Sequence, residues 1–205
     1  PEKYETVRDL AALQPWLEAA RARGVLAFDT ETTSLDEMAC DLVGVSLAVE
    51  PGKACYIPLC HVTEGGEGLF SGGAAFAEGQ MPLDDLLAAI KPVLEDDAIL
   101  KIAQNAKYDV KVLGRYGIDV APLDDTMLMS YAMFAGLHGH GMDVLAERYL
   151  GHQCIPIKDL IGSGKSQVTF DRVEIDKAAP YAAEDADVTL RFWHLFKPRL
   201  HREKV

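Results

Sequence analysis

Apolar residues recur at helical spacing through "VRDLAALQPWLEAARARG", and the run stops at Gly24, so a helix is expected there. The pattern then changes. "VLAFD" is a short continuous apolar run and predicts a buried strand. "LVGVSLAV" and "KACYIPL" are rich in β-branched and aromatic residues and predict two more. Glu50-Pro51-Gly52-Lys53 joins them, with Pro and Gly where a type II turn wants them. The sheet is therefore expected to open with an antiparallel hairpin. "EGGEGLFSGGAAFAEGQ" (64–80) is Gly-rich and aperiodic, which predicts a mobile surface loop rather than a domain boundary.

Helical spacing returns in "PLDDLLAAIKPVLED", followed by a strand, "AILKIA". "DDTMLMSYAMFAG" predicts a helix that Asp124 or Asp125 caps, with its Met and aromatic residues in the core. "MDVLAERYLG" predicts a short helix ending at Gly151, then a loop. "PYAAEDADVTLRFWHLFKPRL" predicts a long helix with an apolar stripe of Ala186, Leu190, Trp193 and Leu200. Strands mixed with helices, without internal repeats, predict a single α/β domain over residues 1–205.

Composition adds limits. The chain has 205 residues, 49% of them hydrophobic, enough for one sizeable core. Its 32 acids against 20 Lys and Arg give a net charge of -12, which argues against a broad basic surface for nucleic acid. It leaves open a site where bound cations meet phosphate. No apolar run approaches a membrane span, and "PEKYETVRDL" has no apolar signal region. Cys40, Cys55, Cys60 and Cys154 are irregularly spaced, as expected of reduced thiols in a cytoplasmic protein.

The chemistry gathers in "FDTETTSLD". Side chains two apart on a strand share a face, so Asp29 and Glu31 point the same way near the strand's end. Two further segments carry acids. "QNAKYD" ends in Asp109 just after "AILKIA", and "YAAED" sets Tyr181 and Asp185 at i and i+4 on one helix face. Taken singly, each has a plain structural reading. Asp109 is also a suitable helix-start acid, and Asp185 also suits a surface position between Glu184 and Asp187. Taken together, four carboxylates converging in one cleft would repel one another unless cations sat between them. Oxygen-only ligands suit Mg²⁺ or Mn²⁺, and a pair of such ions is a phosphodiester-cleaving arrangement.

"FDTETTSLD", "QNAKYD" and "YAAEDADVTL" resemble the three motifs of the DEDD exonuclease superfamily, in the subclass with tyrosine in the third motif. More narrowly, the chain resembles the 3'→5' proofreading domains of bacterial DNA polymerase I. "DTMLMSYAM", "MDVLAERYLG" and "LIGSGKSQVTF" continue the likeness, which covers most of the chain but says little about 64–80. The resemblance implies a ribonuclease H-like fold, a mixed sheet flanked by helices. It implies that Asp29, Glu31 and Asp185 hold one metal, and that Asp29 bridges to a second one assisted by Asp109. Tyr181 would orient the attacking water, with Glu31 touching that water or the terminal ribose. Thr32, Leu35 and Asn105 match positions near the 3'-terminal nucleotide, with Leu35 a wedge between bases. Gln104 and Glu184 would support these groups from behind.

Other segments look like sites and are read more plainly. "GSGKS" lacks the first glycine of a phosphate loop, because Asp159 stands there; a mobile loop near DNA is expected, with Lys165 a phosphate contact. "HGHG" and "HQC" lack a second ligand pair at finger-like spacing, so solvated loop histidines are expected. Asp125-Thr126 is expected to cap a helix.

The expected activity is metal-dependent 3'→5' hydrolysis of DNA to 5'-mononucleotides. The expected partners are single-stranded DNA 3' ends and a polymerase domain in cis or in trans, since 205 residues leave no room for palm, fingers and thumb. One rival is an RNA-processing exonuclease of the ribonuclease D type. The other is a non-catalytic platform, against which the presence of all four acids weighs.

Overall fold

The computed structural model describes residues 3–63 and 75–204. Its central sheet has six strands: β1 (Lys3–Thr6), β2 (Val25–Thr32), β3 (Leu42–Glu50), β4 (Lys53–Pro58), β7 (Leu100–Ala103) and β8 (Leu123–Asp125). The order is β1-β4-β3-β2-β7-β8. β3 runs antiparallel to β2 and β4, while β1 pairs with β4, β7 with β2, and β8 with β7 in parallel. The hairpin is thus central, not first. β1 and β8 have 4 and 3 residues, too short for a periodic signal in the sequence.

One face is packed by α1 (Leu10–Arg23), α2 (Leu83–Leu94) and α3 (Lys107–Gly114) over a core of large residues such as Leu13, Leu26, Phe28, Leu47, Leu86 and Val112. Asp9 caps α1 by accepting from the Ala12 amide, and Gly24 ends it at φ 69°.

The other face is covered by α7 (Ile175–Glu203), which begins one turn earlier than its sequence pattern suggests and carries Pro180 within it. Here the residues are small. Ala27, Ala48 and Ala54 from the sheet meet Ala183, Ala186 and Leu190 from α7. Gly44 belongs to the same face: a Cβ there would lie 2.2 Å from the Tyr56 hydroxyl. Small side chains let helix and sheet approach closely. Farther along, Val188, Phe192 and Phe196 pack under α4 (Thr126–Phe134) and α5 (Met142–Leu145). α7 therefore buries more than the single expected stripe.

Asp125 caps α4, accepting from the Met127 and Leu128 amides. That helix is only half core, since Leu128 and Tyr131 are exposed. A π-helical turn, Ala146–Leu150, follows α5 and ends at left-handed Gly151. The expected loop beyond it contains α6 (Ile157–Ile161) and two 3₁₀ turns. Of the Gly-rich stretch, residues 64–74 lie outside the described residues. Ala75–Phe76 (β6) pairs with Val62–Thr63 (β5) as a two-stranded ribbon rather than a plain loop. No described helix is long and apolar enough to cross a membrane.

Candidate active site

Strand parity sets the site. Leu26 and Phe28 join the large-residue core, while Ala27 packs with the small residues under α7. Asp29 and Glu31 continue the Ala27 face, toward α7. The close approach of α7 then delivers Asp185. One carboxylate oxygen from each of Asp29, Glu31 and Asp185 lies within 4.8 Å of the others. Asp109, in the first turn of α3, arrives from the opposite side of the strand. It accepts from the Thr30 amide at 3.1 Å and the Thr30 hydroxyl at 2.5 Å.

The acids carry the electrostatic mark of this crowding. Burial, then the charges of Asp109, Glu31 and Asp185, holds Asp29 well above the usual carboxylate range. Burial, then Asp185 and Asp109, does the same to Glu31. Burial pushes Asp109 up to about 7 although the Thr30 bonds pull it down. Asp185 is pushed up to about 8 by burial, against the lowering bond from Tyr181. The Tyr181 hydroxyl itself is raised far above its ordinary value, by burial first and then by Asp185, Glu31 and Asp29. Glu31 Oε1 is buried with no hydrogen-bond partner. A buried carboxylate oxygen left so costs on the order of 1–3 kcal/mol or more. Hard oxygen donors, mutual repulsion and an orphaned oxygen together fit a divalent cation.

A cleft of about 810 Å³ opens beside the acids, lined by Thr30 to Leu35, Tyr108, Ile157, Phe170 and Tyr181 among others. Leu35 stands at its lip, 92% exposed. The Thr32 hydroxyl bonds to the Ser34 carbonyl and to the Tyr108 hydroxyl, holding the corner that presents Leu35. Lys165 is exposed on the turn beside Gly164, which lines the cleft.

Other expectations need correction. Gln104 is buried, and its amide is used within the protein: Nε2 donates to the His140 carbonyl and Oε1 accepts from Thr126. Asn105 sits at φ 62°, and its amide donates to Asp125, which also takes the Ala106 amide. Asp125 is therefore a tie for the loop that leads to Asp109 as well as a cap. Glu184 and Asp187 are buried rather than surface residues. Among the histidines, His140 is buried on Ser130, and His152 bonds to Glu184 at 2.8 Å. Neither is a solvated loop residue. Thr30 and Tyr108 were not singled out from the sequence. Nothing in their spacing marks them, because Thr30 acts through a partner 79 residues away.

The 3'-5' exonuclease family model matches residues 4–201. The chain belongs to that family. It is 52% identical over 206 residues to DNA polymerase I of Rhizobium leguminosarum, and 44% over 191 residues to that of Pseudomonas aeruginosa. These matches cover 96% and 92% of the chain but 20% of each relative, so this exonuclease-family chain spans about a fifth of their length. Among solved structures it resembles Brucella melitensis NrnC with bound Mg²⁺ (TM-score 0.67, 21% identity, 98% of this chain and 83% of that one). It likewise resembles Escherichia coli RNase D (TM-score 0.67, 21% identity, 98% and 46%). The expected ribonuclease H-like fold is thereby shown.

Proposed function

We propose that residues 1–205 form a single cytoplasmic 3'→5' exonuclease domain that removes nucleotides from single-stranded DNA 3' ends for a DNA polymerase I. The observation that carries this reading is the meeting of Asp29, Glu31 and Asp185 within 4.8 Å, with Glu31 and Tyr181 lining the cleft. Asp29, Glu31 and Asp185, with Asp109 beside them, hold two divalent ions, Mg²⁺ or Mn²⁺. When bound, such ions lower the pKa of water and stabilise charge on the leaving 3' oxygen.

The protein's own groups do the rest. Asp29 would contribute to both ions. Tyr181 keeps its proton, because burial and three carboxylates raise its pKa. It therefore orients the attacking water as a hydrogen-bond partner rather than as a base. Thr30 fixes Asp109 through two hydrogen bonds, and so sets its distance from Asp29. Leu35 wedges between the last bases, and Thr32 and Asn105 border the terminal nucleotide. Lys165, with Lys107 at the start of α3, supplies a short basic path in a chain of net charge -12. Nonspecific DNA affinity comes largely from Lys and Arg displacing counterions, so binding is expected to be weak and its salt slope modest.

The test is digestion of end-labelled oligonucleotides with Mg²⁺, Mn²⁺ or EDTA, on DNA and RNA, single-stranded and blunt. The expected result is stepwise shortening from the 3' end of single-stranded DNA, abolished by EDTA. Equal rates on blunt duplex and single strand, or shortening from the 5' end, would refute it. Faster RNA digestion would favour the ribonuclease D reading.

A further inference from the structure

A second cluster of ligand atoms includes Glu184, the neighbour of Asp185 on α7. His152, Cys154 and Glu184 each bring one donor atom within 4.8 Å of the other two. His152 and Cys154 come from the stretch between the π-helical turn and α6, and Glu184 comes from α7. We propose that these three side chains form a zinc-class metal site, separate in chemistry from the carboxylate site.

The donor set argues for a soft or borderline ion. Thiolate and imidazole suit Zn²⁺, whereas Mg²⁺ and Mn²⁺ prefer all-oxygen shells. The geometry is near what zinc needs. Bond lengths of about 2.0 Å to nitrogen or oxygen and about 2.3 Å to sulfur place tetrahedral ligands about 3.3–3.7 Å apart. The His152 Nε2 to Glu184 Oε1 distance of 2.8 Å has to open only slightly. The second oxygen of Glu184 accepts from the Ile155 amide at 2.6 Å, which aims the first oxygen at the cluster, as outer hydrogen bonds do for metal-ligating carboxylates.

An entry path is present. Cys154 lines a cleft of about 370 Å³ that also holds Asp143, Glu147 and Lys158, so the thiol side of the cluster faces a solvent-filled opening with more acids than bases. Binding is balanced by simple proton movements. The thiol proton leaves to solvent, and the imidazole, whose Nε2–H donates to Glu184 without metal, changes to the Nδ1–H tautomer by exchanging protons with solvent, which frees Nε2 for the metal. A bound ion would clamp the 152–156 segment to the helix that carries Asp185.

The probe is Co²⁺, followed by Zn²⁺ competition, on the purified protein. One equivalent of Co²⁺ is expected to give a thiolate-to-cobalt charge-transfer band that Zn²⁺ removes. Cys154→Ser should abolish the band, and His152→Ala should weaken Co²⁺ binding at least tenfold. Asp29→Ala should keep the band, which separates this site from the carboxylate cluster. The proposal fails if wild type gives no band, if Cys154→Ser keeps it, if His152→Ala binds as tightly as wild type, or if Asp29→Ala loses it. Alkylation of the wild-type protein, mapped by peptide mass spectrometry, covers the case of a misfolded serine variant. One equivalent of Zn²⁺ should slow modification of Cys154 at least tenfold and leave Cys60 unchanged; equal rates at Cys154 would overturn the proposal.

Discussion

Asp185 and Asp187 stand two residues apart on α7, and both are drawn into the protein, yet their surroundings differ. Asp187 is fully buried and surrounded by donors: the Tyr4 hydroxyl at 2.8 Å, the Gly52 amide at 2.7 Å and the Arg191 guanidinium at 2.5 Å. It fastens β1 and the β3–β4 turn to α7. Asp185 faces Asp29 and Glu31 instead, with the Tyr181 hydroxyl beside it. Buried charge is tolerated where partners compensate it. What distinguishes the two aspartates is the balance of donors and like charges around them.

The largest test of this contrast is catalytic. Asp29→Ala should lower exonuclease kcat by about a thousandfold or more, the scale for losing a charge-stabilising group, while the fold survives. Calorimetry should find divalent-ion binding lost as well. Activity near wild type would break the assignment. Tyr181→Phe should slow hydrolysis about 10²–10⁴-fold with Mn²⁺ affinity retained, since the hydroxyl serves the water and not the metal. Loss of Mn²⁺ binding in that variant would reassign the residue.

Stability should separate the two aspartates next. Asp187→Ala removes the fully buried acceptor that the Tyr4 hydroxyl, the Gly52 amide and Arg191 share, and is expected to cost about 1–3 kcal/mol in denaturant unfolding. Asp185→Asn replaces a carboxyl whose ionisation is disfavoured without metal by a neutral group of the same shape and, in EDTA, should be neutral or stabilising. Equal losses in the two variants would erase the comparison.

The pH dependence sharpens it further. Asp185 and Asp109, raised to about 8 and about 7, keep their protons in the folded domain over a range where an unfolded aspartate, near 3.9, has lost them. The folded state therefore binds more protons between about pH 4 and pH 8, and metal-free stability should fall as pH rises through that window. Melting in EDTA from pH 5 to pH 8 should show a falling Tm. Mg²⁺ should raise Tm most at the alkaline end. A Tm that climbs with pH in EDTA would contradict this account.

The smallest effect belongs to the lip of the cleft. Leu35 buries almost nothing, so Leu35→Ala should leave Tm unchanged. Its KM for single-stranded oligonucleotides should rise a few-fold, in keeping with the loss of about 1 kcal/mol of base contact. An unchanged KM would remove the wedge.

Much of this was legible in the residues. Continuous apolar and β-branched runs gave β2, β3, β4 and β7, because strands buried on both faces are apolar throughout, and period-3.6 patterns gave α1, α2 and α7. The acids were visible too, since Asp29 with Glu31 and Tyr181 with Asp185 obey the spacing of one strand face and one helix face. Other features left no local trace. β1 and β8 are strands because β4 and β7 pair with them, and such short segments have no period to read. Gln104 has the chemistry of a substrate contact, but Thr126 and the His140 carbonyl occupy both ends of its amide. Which side of α7 would press on the sheet depended on alanines and a glycine from three strands lying on one face. The sequence by itself determined which groups were available and how each was spaced along its own element. Tertiary structure alone decided that Asp185 would meet two carboxylates and Asp187 an arginine and two other donors, because compensation of a buried charge depends on partners that chain distance does not record.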